Sequence, residues 1–237
     1  MRAWWREFTG LVLPVDCAGC GRPRTALCGA CGELLGSPDG AAVRRVLPDP
    51  APGGLPEVHA AATYADEVRA VVLAHKERGA LGLARPLGAA LAGAVLKVDT
   101  VGPLLLVPVP SARRTVAARG HDATRRIARC AAGELRRSGR RARVAAVLRQ
   151  RRAVADQARL SGRERLENLS GAVVVTGSGH RLLEVAPVVL VDDLMTTGAS
   201  LAAAARAVEA AGGRIAGAAV VAGPVETELW PETHRCS

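Results

Sequence analysis

The chain has 237 residues, of which 49% are hydrophobic, with 26 glycines and 14 prolines. This apolar content excludes a disordered chain and suffices for one large domain, alone or with a small appendage. No stretch approaches 18 uncharged apolar residues, so we expect no membrane span. The apolar stretch Phe8–Val15 is short and flanked by acidic residues, unlike a secretory signal, and we therefore expect a soluble, cytoplasmic protein.

The chain is strongly basic. Its formal net charge is +10, and Lys76 and Lys97 are the only lysines among 32 basic residues. This excess has two interpretations: a compositional bias on a solvated surface, or an affinity for phosphates of a nucleotide or nucleic acid. Aromatic residues make up only 2% of the chain, so single-stranded nucleic acid would find few side chains on which its bases could stack.

Four of the six cysteines form two CxxC pairs separated by seven residues, Cys17, Cys20, Cys28 and Cys31. Two such pairs can surround one Zn²⁺ tetrahedrally, and four thiolates fill its coordination sphere, as in a structural site. Two disulfides are the alternative, which the absence of an export signal disfavours. The sequence therefore predicts a zinc-ribbon domain over residues 1–36.

Residues 37–57 are rich in Gly, Pro and Ala without clear periodicity, and we interpret them as a linker to a main domain over 58–237. In that domain apolar strands alternate with helices, which predicts an α/β fold with a mainly parallel sheet flanked by helices. The predicted strands are Val58–Tyr64, Leu104–Val109, Arg143–Leu148, Ala172–Thr176, Val188–Val191 and Ile215–Val221. The predicted helices are one capped by Asp66 and ending near Gly79, and Leu81–Leu96, Arg113–Arg137 and Leu201–Ala211.

The segment Val188–Ser200 is the most informative part of the chain. An apolar strand runs into Asp192 and Asp193, and a Thr-Thr-Gly loop then leads into a helix. Since successive strand residues point to opposite faces, both carboxylates can face one ligand only if the strand bends at its end. Two acceptors suit a vicinal diol, and hydroxyls and amides at a helix N-terminus suit an anion. A diol beside a phosphate describes a ribose 5-phosphate; an ordinary strand–loop–helix connection is the alternative.

The same segment resembles the phosphoribosyl pyrophosphate (PRPP) binding motif of type I phosphoribosyltransferases. This resemblance implies that Asp192 and Asp193 hold the ribose hydroxyls. It also implies that Mg²⁺ arrives with the substrate as Mg–PRPP, because few protein carboxylates are on offer. The predicted PRPP loop that follows the two acids consists of Met195, Thr196, Thr197, Gly198, Ala199 and Ser200.

A four-cysteine ribbon ahead of such a domain resembles the ComF/GntX family, whose members include a competence protein of DNA uptake. Lys76-x-x-Gly79 resembles the family's Lys-aromatic-x-Gly element, with Glu77 where an aromatic residue is usual. Arg119-Gly120 stands where the family has Arg-Gly-Phe-Asn-Gln, and residues 121–123 depart from that pattern. Further matches to the family are Val107, Pro108, Val109, Pro110, Gln157, Leu160, Arg165 and Asn168.

The resemblance implies displacement of pyrophosphate at ribose C1 by an acceptor that the sequence does not identify. The leaving pyrophosphate needs cationic groups, and Lys76, Arg113 and Arg119 are the predicted catalytic residues. Purine-salvage members of the superfamily carry a carboxylate in the phosphate loop, where this chain has Thr196. His121 and Asp122 are therefore the candidates for a general base.

A second class of function stays open. The basic segment Arg136–Arg152 and the cysteine ribbon favour a non-catalytic, zinc-containing protein that handles single-stranded DNA in uptake or repair. Its partners would be DNA or a protein of the competence machinery. The sequence does not define an oligomeric state.

Overall fold

The computed structural model describes residues 16–150, 173–177 and 179–224. Within them a six-stranded sheet has the order β1-β2-β8-β7-β3-β4, and a separate two-stranded sheet pairs β5 with β6. The family matches at Gln157, Leu160, Arg165 and Asn168 lie outside the described residues. The strands are β1 (Arg44–Val46), β2 (Val58–Thr63), β3 (Leu104–Pro108), β4 (Ala142–Val144), β5 (Leu148–Gln150), β6 (Val173–Val175), β7 (Val188–Leu194) and β8 (Ile215–Gly223).

The main sheet is parallel except at one edge, which confirms the predicted α/β class. Strands β2, β8, β7, β3 and β4 run parallel to their neighbours, and only β1 pairs antiparallel, with β2. The predicted strand Arg143–Leu148 is wrong in detail: it divides into the end of β4 and the start of β5, which belong to different sheets. Strand β5 pairs antiparallel with β6.

The helices are α1 (Gly29–Leu34), α2 (Asp66–Glu77), α3 (Ala84–Leu96), α4 (Arg113–Arg119), α5 (Ala123–Arg137), α6 (His180–Leu183) and α7 (Ala199–Ala210), with a 3₁₀ turn at Leu81–Leu83. Asp66 is the first residue of α2 and not its cap, a position that Ala65 takes. The single helix predicted over 113–137 is also wrong, because Gly120 adopts a left-handed backbone (φ 71°) that ends α4.

Two apolar layers cover the faces of the main sheet, and β7 shows how. Val189 and Val191 pack into the layer formed with α2, α3 and α5. Val188 and Leu190 point the other way, into the layer formed with α7. This alternation follows from the two-residue period of a strand. Because β7 is buried on both faces, its side chains are apolar until the strand nears its carboxyl end.

The cysteine-bearing segment and the predicted linker both pack on the main domain. Leu35, directly after α1, is 1% exposed and belongs to the first apolar layer. Residues 37–57, expected to be a linker, contribute β1 to the edge of the sheet. In the described part of the chain no single helix is long and apolar enough to cross a membrane. Asp66–Glu77 and Leu81–Leu96 pass such a test only together, and they meet at a bend of 118°.

Candidate functional site at the carboxyl end of β7

Strand β7 continues through both acidic residues to Leu194, whereas the predicted strand ended at Val191. Asp192 pairs with Val220 of β8 and Leu194 with Ala222, so the backbone stays extended up to Leu194. The two carboxylates consequently have different surroundings. Asp193 is 2% exposed, and Asp192 is partly exposed. The acids thus lie where expected, at the carboxyl end of a central parallel strand, the edge at which α/β proteins bind ligands.

The carboxylate of Asp192 accepts two hydrogen bonds. The amide of Asp193 donates to its Oδ1 at 2.8 Å, and the hydroxyl of Thr124 donates to the same oxygen at 3.4 Å. Burial, and then the negative charge of Asp193, raise the pKa of Asp192 well above its usual value. Thr124 is not among the residues predicted from the sequence. The sequence signal that could have identified it is a hydroxyl residue on the buried face of α5, among small apolar side chains.

Asp193 is paired with Lys76 from the last turn of α2. The ammonium Nζ lies 2.9 Å from Oδ1, to which it donates, and 2.9 Å from Oδ2. Burial alone would lower the pKa of Lys76, but the charge and hydrogen bond of Asp193, together with the charge of Asp192, raise it. The structure therefore brings this predicted catalytic residue to the predicted carboxylate pair.

The loop after β7 presents polar groups beside the carboxylates. Thr196, Thr197 and Ser200 are exposed. Met195 is different: its side chain is buried in the second apolar layer and its amide donates to Ala222. Within the described chain, the amides of residues 196–198 meet no backbone acceptor. The loop can therefore offer hydroxyl and amide donors to an anion at the start of the twelve-residue helix α7.

Gly198 gives this loop its shape. Its φ is 72°, in the left-handed region that favours glycine, and it precedes the first residue of α7. A Cβ atom here would lie 3.0 and 3.1 Å from the two terminal carbons of Leu55. A side chain at position 198 is therefore opposed both by the backbone conformation and by close packing from the 37–57 segment.

Further predicted site residues lie on the turn between α4 and α5, which packs against α2. Arg119 donates from Nε to Oε2 of Glu77 at 2.8 Å and from Nη2 to Oε1. The ring of His121 lies between two carbonyl oxygens, with Nδ1 3.1 Å from the oxygen of Arg119 and Nε2 3.1 Å from that of His75. The two departures from the ComF pattern, at Glu77 and at 121–123, are thus neighbours in space.

The remaining predicted site residues have simpler surroundings. Arg113 is exposed at the start of α4, a helix that buries none of its residues. No ion pair in the described chain joins it to the carboxylates. Asp122 caps α5, because its side chain accepts a hydrogen bond from the amide of Arg125 at 2.9 Å. That hydrogen bond gives Asp122 a structural role at the start of α5.

The four cysteines of the predicted ribbon converge on one point. The sulfur atoms of Cys17, Cys20, Cys28 and Cys31 all lie within 4.8 Å of one another. Cys20 and Cys28 are 3.6 Å apart at sulfur, close to the edge of about 3.8 Å of a tetrahedron with Zn–S bonds of about 2.3 Å. This is too long for a disulfide, whose S–S bond is about 2.05 Å. The donor set fits a metal ion such as zinc.

The pKa values of two of these thiols are shifted in opposite directions. Burial acts against the thiolate of Cys17, but the amides of Cys20, Cys28 and Gly19 outweigh it and lower the pKa of Cys17 to about 6. Burial and the neighbouring sulfurs raise the pKa of Cys31 to about 12. Backbone amides therefore already stabilise one negatively charged sulfur in the cluster, which is the form that binds a metal.

Comparison with known families supports the phosphoribosyltransferase-like class. The model of the phosphoribosyl transferase domain matches residues 127–235, just under half of the chain. The matched stretch contains β7, the loop after it and α7. It leaves out the cysteine cluster and the predicted catalytic residues Lys76, Arg113 and Arg119. A search of curated proteins found no match. The match and the parallel sheet together indicate a type I phosphoribosyltransferase-like protein.

Proposed function

We propose that the protein binds PRPP, as its magnesium complex, at the carboxyl end of β7 and transfers or recognises its phosphoribosyl group. This proposal depends on one observation: two carboxylates at the end of β7 are followed directly by an exposed, hydroxyl-rich loop at the N-terminus of α7. A sugar diol and a phosphate on one pentose need these two kinds of groups side by side.

Each part of PRPP has a proposed partner. Asp192, which is partly exposed, accepts hydrogen bonds from the ribose hydroxyls, whereas Asp193, 2% exposed and paired with Lys76, positions that lysine beside the sugar. Thr196, Thr197 and Ser200, with the amides of 196–198, surround the 5-phosphate. Magnesium enters bound to the diphosphate, in keeping with its preference for substrate phosphate oxygens over all-protein sites.

Catalysis would consist of positioning and charge neutralisation. As the bond between ribose C1 and pyrophosphate breaks, the leaving group accumulates negative charge. Lys76 lies beside the carboxylates, and Arg119 is on the neighbouring turn. Arg113, exposed at the start of α4, is the third proposed cationic residue.

We propose that the protein belongs to the ComF family, because it combines a four-cysteine cluster with this domain, and that Cys17, Cys20, Cys28 and Cys31 hold a structural zinc. Zinc would hold together a segment of about 20 residues that has one short helix of its own. The fold and the composition suit a cytoplasmic protein.

Calorimetry with Mg–PRPP tests the proposal. Wild-type protein should bind, and Asp192→Asn should reduce affinity at least about tenfold, because a charged acceptor for the ribose hydroxyls is lost. Asp99→Asn is the matched control: it makes the same change at an exposed residue between α3 and β3 and should leave affinity unchanged. Pyrophosphate release, measured with and without candidate nucleophiles, distinguishes transfer from recognition. A folded wild-type protein that does not bind Mg–PRPP would refute the proposal.

A second function, binding of nucleic acid, is favoured by one surface. Helix α5 exposes five arginines, and Glu134 is its only acidic residue. The exposed arginines are Arg125, Arg126, Arg129, Arg136 and Arg137. Such a surface should bind single- or double-stranded oligonucleotides mainly through phosphates, so affinity should fall steeply with salt.

Fluorescence anisotropy with labelled oligonucleotides at several salt concentrations tests this second function. The double variant Arg125→Gln/Arg129→Gln should weaken binding. Arg214→Gln, an exposed arginine before β8, should not. Binding that is independent of salt, or equal in the three proteins, would exclude this surface as a nucleic-acid site.

A further inference from the structure

We propose that, in the free protein, the carboxylate of Glu77 accepts the hydrogen bonds of the Arg119 guanidinium. When the substrate binds, its diphosphate displaces Glu77 and accepts these hydrogen bonds instead. Glu77 thus competes with the diphosphate of the substrate for Arg119. This inference rests on the proposed function, because it concerns the PRPP site. Its basis is the two-point contact between Arg119 and Glu77, in which both carboxylate oxygens accept from the guanidinium.

The geometry of a guanidinium makes this exchange chemically simple. Its planar fork of N–H groups matches the paired oxygens of a carboxylate and those of a phosphate equally well. A diphosphate carries more negative charge than one carboxylate, so it is the stronger partner for Arg119. Glu77 is 45% exposed at its side chain, and water can therefore hydrate its carboxylate once Arg119 has left.

The neighbouring ion pair lacks this freedom. Lys76 is held by Asp193, whose side chain is 2% exposed and would remain a buried, unpaired charge if Lys76 moved to a ligand. Partly exposed pairs such as Glu77–Arg119 contribute little net stability and are readily exchanged. Of the two cations from α2 and the turn, Arg119 is therefore the one able to change partners.

The turn that carries Arg119 is held in place independently of Glu77. His121 contacts the carbonyl oxygen of His75 through Nε2, and Asp122 caps α5. The backbone at residue 119 therefore stays close to α2 when the side chain of Arg119 is released. Glu77 directly follows Lys76 on α2, so its contact with Arg119 lies one residue along the helix from the lysine that reaches the carboxylate pair.

Calorimetry with two probes, Mg–PRPP and inorganic pyrophosphate with Mg²⁺, tests the proposal. Glu77→Gln should bind both about fivefold more tightly than wild type, because the competing carboxylate and its repulsion of the diphosphate are removed. Glu134→Gln is the matched control: it also removes an acid paired with an arginine, Arg137, but at the far end of α5. Its affinities should equal those of wild type.

A double-mutant cycle identifies the partner. Arg119→Gln should weaken binding of both probes, and in the Arg119→Gln background Glu77→Gln should no longer improve it. If wild type binds PRPP and Glu77→Gln binds it equally or more weakly, the exchange is refuted while the proposed function stands. If wild type and Glu77→Gln both fail to bind, with unchanged thermal unfolding midpoints, the proposed function and the exchange both fail. A lower midpoint without tighter binding would show that the pair is only structural.

Discussion

Lys76 and Asp193, which are 117 positions apart in the chain, form a two-point ion pair beside the last residues of β7, with Nζ 2.9 Å from each carboxylate oxygen. The pair joins the last turn of α2 to the central strand of the sheet. It also places the positive charge of Lys76 next to Asp192, which is the more exposed of the two acids. A single contact thus contributes to stability and to the electrostatics of the candidate site.

Replacing Lys76 by Met should destabilise the protein by about 2 kcal/mol. The substitution keeps most of the apolar side chain but leaves Asp193 as a buried charge without its partner, which is a costly arrangement. Urea unfolding measures the effect. Lys97→Met is the control, since Lys97 is the only other lysine and is exposed; it should change stability by less than about 0.5 kcal/mol.

The pH dependence of that effect has a definite sign. The pKa of Lys76 is raised in the folded protein, so the stability it contributes is fully present below the ordinary lysine value and is lost only as pH rises through the raised value. The difference between wild type and Lys76→Met should therefore persist from about pH 6 to pH 9. A difference that disappears within this range would contradict the ion-pair interpretation.

The cysteine cluster should hold one zinc ion per chain in reducing buffer. Elemental analysis of the purified protein measures this directly. Cys28→Ser should lose the metal and lower the unfolding temperature, because the metal supplies folding energy to a short segment. Cys130→Ser should keep the metal, since Cys130 lies on α5 outside the cluster. Zinc-free protein with two disulfides would show that the sulfur atoms are paired covalently instead.

Periodicity and motifs predicted the parallel sheet, the convergence of the cysteines and the acids at the end of β7. These features depend on local patterns: runs of apolar residues, CxxC spacing and a strand followed by a loop. The sequence did not predict the docking of α2 on the site. Lys76 meets Asp193 and Arg119 meets Glu77 only through tertiary packing. Likewise, β7 stays straight through its acids because β8 runs alongside it, a partner that the strand's own residues do not reveal.

Gly198→Ala should disrupt the loop after β7. The substitution adds a methyl group where φ is 72° and where Leu55 approaches to 3.0 Å. We expect a loss of about 2 kcal/mol in stability and a clear loss of Mg–PRPP affinity. Gly212→Ala separates the two causes, since φ is also positive there but nothing lies within 4 Å of the added carbon. It should cost about 1 kcal/mol.

The double variant Gly198→Ala/Leu55→Ala tests the steric part of that cost. Removing the end of the Leu55 side chain should recover part of the affinity that Gly198→Ala loses, although Leu55→Ala alone removes apolar packing. If Gly198→Ala and Gly212→Ala were equally stable, the contact with Leu55 would have no energetic importance.

Asp192→Asn should make the ligand-free protein more stable at neutral pH. The raised pKa of Asp192 means that the folded state binds its proton more tightly than the unfolded state. Stability is therefore lost as pH rises from the ordinary aspartate value through the raised one, since the folded protein must then bury a second negative charge beside Asp193. Asparagine keeps an oxygen acceptor for the Asp193 amide and the Thr124 hydroxyl without that charge.

Urea unfolding of wild type and Asp192→Asn across acidic and neutral pH checks this expectation. The variant's advantage should be present at neutral pH and should disappear at pH values below the ordinary aspartate pKa, where Asp192 is protonated in both states. Asp99→Asn should show no such advantage. The same Asp192→Asn substitution should weaken Mg–PRPP binding at least about tenfold. A gain in stability combined with a loss of affinity is expected for a residue that is retained for ligand binding. A variant that is more stable and binds Mg–PRPP normally would show that the acid at position 192 does not bind the ribose.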